Sequence, residues 1–246
     1  MAQMDVLDKA TQILVDTYTT EVGKFSLTGF LKAGVDPFRF GCMAALFGER
    51  EAVRREVEHK LAMKLENMMG DFHEAYLGNA LHIPTDSRWE LVQRGEIPGV
   101  DIMNRRLNAY IQIKSKHNSM NSSSSKRLAD ELKNLLLQDG TRVVACGWVI
   151  ASQKQASIGE SEIAKVARVL KGPALYKYIT GNENEMDEVV KAFPSIIQEK
   201  LTLVNAADLI HKAAEGIYRN LEAEAKASGD SIMTLLYKKA ICSPSE

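Results

Sequence analysis

GVDIMNRRLNAYIQIKSKHNSMNSSSSK, Gly99 to Lys126, is the stretch on which the reading of this chain turns. The apolar run Ile97 to Met103 passes through a polar turn, Asn104 to Asn108, into Ala109 to Ser115. Two β-type runs joined by a short polar turn predict a hairpin. Successive residues of a strand point to opposite faces, so Tyr110, Gln112 and Lys114 share one side and Ile111 and Ile113 the other. Burying the two isoleucines fixes Gln112 and Lys114 on the far side, and the hairpin brings Asp101 beside them.

Those residue types suit one kind of chemistry. Hydrolysing a phosphodiester needs a nucleophilic water and relief of the charge that builds on phosphorus. Hard cations held by Asp and Glu oxygens supply both, and a lysine beside them orients the water. Asp101 is therefore expected as the principal cation ligand, Gln112 as the second, and Lys114 as the water-orienting cation. Glu74, on a predicted helix in GDFHEAYLG, adds a carboxylate as accessory ligand or water-orienting group, while its neighbour His73 points elsewhere. Singly, each has a plainer reading: Glu74 a solvated helix carboxylate, Asp101 a strand end, Lys114 an edge cation. Short spacings recur by chance; the joint placement favours the functional reading.

Outward from this core the pattern is helical on both sides. Val6, Leu7, Ala10, Ile13 and Leu14 keep a period near 3.6. A long charged helix is expected over 44–70, with Val53, Val57, Leu61 and Leu65 as its stripe and Gly70 interrupting or ending it. Helical spacing resumes at Phe72, Ala75, Tyr76 and Ala80. After the hairpin, the serines at 122–125 offer N-caps to a helix closing at Gly140. TRVVACGWVIAS (141–152) then reads as a buried central strand. From Glu160 onward the chain reads as largely helical. The expected architecture is a mixed α/β fold, a central mixed sheet flanked by helices. It forms one domain: a helical part over 1–83, the sheet core over 84–158 and a helical part over 159–246.

Charge is local rather than global. The formal net charge is −1, yet no acid lies between Asp101 and Asp130, a window holding Arg105, Arg106, Lys114, Lys116, Lys126 and Arg127. Such a patch suits a phosphate-binding cleft or, equally, a solvated loop. The three cysteines match no zinc or disulfide spacing, which points to small buried or tail residues and a cytoplasmic setting. The N-terminus reads as an amphipathic helix rather than a secretory signal, and no apolar run reaches the roughly 20 residues a membrane span needs.

The run IQIKSKHNSMNSSSSKRL resembles the segment after the catalytic strand in the SinI-like type II restriction endonucleases, which cut GGNCC or GGWCC sites. Lys116, His117, Asn118, Met120, Asn121 and Ser122 to Ser125 carry the likeness; Val100, Asp101 and Ile102 match the first strand. A weaker similarity covers LYKYITGNENEMDEVVKAFPSIIQ. The resemblance implies a restriction-endonuclease-like core of the PD-(D/E)xK type, Mg²⁺ dependence and a homodimer on double-stranded DNA. It also implies a cognate methyltransferase in the same system, one that is not a physical partner. By the same resemblance Lys116, His117, Asn118, Ser119, Asn121, Ser122, Ser123, Lys126, Arg127 and Arg105 lie at the DNA.

One residue departs from that pattern. Gln112 stands where the group carries Asp or Glu, and a neutral amide holds a divalent cation less well than a carboxylate. Three accounts stay open: a working ligand with Glu74 supplying charge, an introduced Glu-to-Gln change, or a natural binder that no longer cuts. The expectation is a type II restriction endonuclease leaving 5′-phosphate ends. Its rivals are a structure-specific repair nuclease of the same fold, a catalytically inactive DNA-binding protein and an α-helical scaffold with an incidental hairpin.

Overall fold

The computed structural model describes residues 3–93, 95–116, 122–137, 143–150 and 158–241. Its helices are α1 (Met4–Gly23), α2 (Leu27–Lys32), α3 (Pro37–Phe47), α4 (Glu49–Leu77), α5 (Ser122–Leu136), α6 (Ile158–Ile163), α7 (Pro173–Thr180), α8 (Glu185–Leu203), α9 (Ala206–Ser228) and α10 (Ile232–Ile241). Its strands are β1 (Leu81–His82), β2 (Ser87–Arg88), β3 (Glu90–Leu91), β4 (Ile102–Asn104), β5 (Ala109–Lys116), β6 (Val143–Ile150) and β7 (Arg168–Lys171). Two compact units result, one of residues 1–14 and 69–197, the other of 15–68 and 198–246. Among the described residues no helix is long and apolar enough to cross a membrane.

The first unit carries a five-stranded sheet in the order β3-β4-β5-β6-β7. β3, β4 and β5 are antiparallel; β5, β6 and β7 are parallel. Parallel neighbours need a crossover, and α5 and α6 provide it. The predicted mixed α/β architecture is thus what the chain adopts. Leu128, Leu132 and Leu135 recur at helical spacing on α5 and are buried with Val144, Cys146 and Trp148 of β6. Ile111 and Ile113 are buried as well, at 0% and 2% exposure. On their face α7 packs directly on the sheet. A Cβ on Gly147 would collide with Leu175 Cδ1, so no larger residue fits without displacement.

The second unit is helical. Val53, Val57 and Leu61 of α4 are fully buried with Phe30, Phe40, Ile217, Leu221 and Leu236. Asp36 caps α3 by accepting from the backbone N–H groups of Phe38 and Arg39, with Pro37 at the first helical position.

Several sequence expectations are corrected. The first hairpin strand is Ile102–Asn104 and not 97–103, because Pro98 lacks an N–H and Gly99 sits at φ +75°, a turn rather than a ladder. Asp101 therefore precedes the strand instead of ending it. The helix expected over 44–70 is divided at Gly48, φ +85°, into α3 and α4. It passes unbroken through Gly70, since burial of Phe72, Ala75 and Tyr76 outweighs the roughly 1 kcal/mol a helical glycine costs. The serines form the first turn of α5 and not its cap, and the helix ends at Leu136; Gly140 lies outside the described residues. β7 falls where helix was expected: four residues are too few to show a period. Of the cysteines, Cys146 is buried as expected and Cys42 is exposed.

Candidate active site

β5 is held on both edges, which makes it a rigid platform. Gln112 lies opposite Cys146 and Lys114 opposite Trp148 on β6, on the face that α5 covers. On the other edge the β4 ladder stops after Ile102↔Ile111, and Asp101 continues it by different means. Its backbone N–H donates to the Ile111 carbonyl at 3.0 Å. Its Oδ2 accepts the Ile113 backbone N–H at 2.6 Å. A side-chain carboxylate thus takes the place of a ladder carbonyl and fixes Asp101 against β5. The Asp101 backbone carbonyl also accepts from Val92 N at 2.9 Å, tying it to the segment after β3.

Gln112 is 7% exposed. Its Nε2 donates to Asp101 Oδ2 and, at 3.5 Å, to the Ile113 carbonyl. Lys114, half-buried, stands two residues further along the same face. Glu74 is in the last turn of α4. Together Glu74, Asp101, Gln112, Lys114, Ser124 and Arg127 line one cleft of about 780 Å³.

The cleft holds residues that the sequence reading passed over. Asp71, three residues before Glu74, lines it, as does Glu131, four residues after Arg127. Their helical spacing was the available signal; the expected break at Gly70 hid the first. His73 turns away, as expected: its Nδ1 lies 3.1 Å from Tyr176 Oη, and burial pulls its pKa down to about 4. Beside it a fully buried Glu185 accepts from Tyr76 Oη, Gln3 N and Asn182 Nδ2.

Arg105, Ser123 and Lys126 are not in the lining of this cleft. Arg105 sits in the turn at the opposite end of the hairpin and pairs with Glu90 at 3.0 Å. Lys126 and Ser123 are exposed on the first turns of α5. Lys116 ends β5 and Ser122 opens α5. His117, Asn118, Ser119 and Asn121 lie outside the described residues.

The donor set is one a hard cation takes: carboxylate oxygens from Asp101 and Glu74, an amide oxygen from Gln112 and the Ile113 carbonyl. Among the described residues no three His, Cys, Asp or Glu side chains are grouped closely enough to hold a metal. A second cleft, about 640 Å³ in the helical unit, is lined by charges that neutralise one another, Arg50 with Glu215 and Arg54 with Glu51.

A family model described as Eco47II restriction endonuclease matches residues 2–202, a span that includes every residue of the 780 Å³ cleft. No curated protein matches the chain.

Proposed function

Because the chain belongs to the Eco47II restriction endonuclease family, whose activity is site-specific cleavage of DNA, we propose that it is a type II enzyme using Mg²⁺ to cut both strands at a short two-fold-related sequence. The observation that carries this reading is the cleft that gathers Glu74, Asp101, Gln112, Lys114 and Arg127 in its lining.

Each side chain has a part. Mg²⁺, when bound, supplies positive charge beside the scissile phosphate and makes a nearby water easier to deprotonate. Asp101 and Gln112 would hold it with the Ile113 carbonyl, and Glu74, which lines the same cleft, would act as ligand or as proton acceptor. Lys114 orients the water for attack on phosphorus and offsets the charge that develops, so that the 3′-oxygen departs and the phosphate stays on the 5′ end. Arg127 and Lys126 meet the DNA backbone, and His117, Asn118, Ser119 and Asn121 read base edges. A two-fold dimer matches a two-fold site, with GGNCC or GGWCC the expected target, and a methyltransferase of the same system protects host DNA. A DNA binder that no longer cuts is the competing reading, and the neutral Gln112 facing Asp101 is what favours it.

The test is digestion of plasmid DNA with Mg²⁺ by the chain and by its Gln112→Glu variant. Discrete fragments from the unsubstituted chain are expected, and their ends give the site. Fragments from Gln112→Glu alone establish the binder reading, with the amide as the block. Cutting of branched DNA only would transfer the chain to repair, and cutting by neither would remove the nuclease assignment.

A further inference from the structure

Gln112 presents the wrong end of its amide to be a cation ligand. An amide carries a donor and an acceptor on one carbon. Here the donor, Nε2, sits between Asp101 Oδ2 and the Ile113 carbonyl oxygen and donates to both. The carboxylate dictates that orientation, because an amide oxygen in the same place would oppose it at contact distance. A positively polarised NH₂ thus occupies the place between two oxygens of the kind a hard cation selects.

We propose that Gln112 is a positioning residue that keeps this place in reserve. In the resting protein its NH₂ satisfies Asp101; to admit a divalent cation the amide must turn over and present Oε1 beside Asp101 and the Ile113 carbonyl. This rests on the cation-dependent nuclease reading above. The reversal is a rotation about the last side-chain bond and leaves the backbone in place, since β5 is paired on both edges. It costs two hydrogen bonds at a side chain that is itself only 7% exposed. The free protein therefore binds divalent cations weakly, and a further anionic oxygen, such as a substrate phosphate, shifts the balance. A glutamate at 112 cannot donate. It would set two carboxylates face to face, an arrangement that calls for a cation.

The experiment uses the ¹⁵N-labelled full-length protein titrated with Ca²⁺ in the absence of DNA, so that no cleavage is involved. Two signals are followed: the Gln112 side-chain NH₂ pair, assigned by its loss in Gln112→Ala, and the Ile113 backbone amide, which reports on Asp101. The expected result is that both move and that hydrogen-exchange protection of the Gln112 pair falls about tenfold or more. Calorimetry on Gln112→Glu should show Ca²⁺ binding at least about tenfold tighter than in the unsubstituted chain. Binding by Gln112→Glu when the unsubstituted chain binds none also supports a closed amide. If Ile113 moves while the Gln112 pair keeps its shift and protection, the gate is wrong and the cation reading survives. If neither protein binds Ca²⁺, the gate and the cation-dependent reading fall together. Should Gln112→Glu fail to fold, the two signals in the unsubstituted chain still decide between these outcomes.

Discussion

Asp101 Oδ2 accepts the backbone N–H of Ile113 at 2.6 Å, so one carboxylate both completes the edge of β5 and faces the cleft. Structure and chemistry can therefore be separated at this residue. Asp101→Ala strands a buried N–H and should cost about 1–3 kcal/mol, measured by urea unfolding. Asp101→Asn keeps an acceptor and should lose markedly less stability. Both should lose DNA cleavage. Retained cleavage in Asp101→Asn would remove Asp101 from the chemistry.

Among the described residues no hydrogen bond or ion pair engages the Lys114 side chain. Lys114→Met should lower the cleavage rate by about 10²–10³-fold and leave the unfolding free energy within about 0.5 kcal/mol. A loss of stability matching the loss of rate would instead make Lys114 a scaffold residue.

On α5, Arg127 lines the cleft and Lys126 is exposed beside it. If both neutralise phosphates, each alanine variant should weaken DNA binding about equally across sequences and reduce the salt slope of log K by about 1. Binding isotherms at several salt concentrations measure this. Arg105→Ala, whose partner is Glu90 at the far end of the hairpin, should change neither.

Stability should fall on acidification through His73. Burial pulls its folded-state pKa down to about 4, so the unfolded chain binds the proton first. Its contribution is present above the ordinary histidine pKa and is lost progressively as pH falls below about 6.5. The loss reaches on the order of 3 kcal/mol by about pH 4. Urea midpoints between pH 7 and pH 4 should show this slope in the unsubstituted chain and a flatter one in His73→Gln. Parallel slopes would mean that other groups carry the acid response.

The sequence by itself determined what depends on neighbours along the chain. The alternation Ile111-Gln112-Ile113-Lys114 set the two faces of β5. The apolar run after residue 140 set β6, and the leucine spacing of α5 set the side it buries. The pairing of Asp101 with Gln112 across a hairpin was legible for the same reason, since only a short turn separates them.

Tertiary structure decided what depends on distant partners. β7 has no readable period and is a strand only because β6 offers it a parallel edge. α4 continues through Gly70 because residues beyond it find burial, and that continuity carries Asp71 and Glu74 to the cleft wall. Nor does any local pattern state which end of the Gln112 amide faces Asp101. The carboxylate and the Ile113 carbonyl fix it together, through hydrogen bonds whose geometry exists only once β4 and β5 have closed.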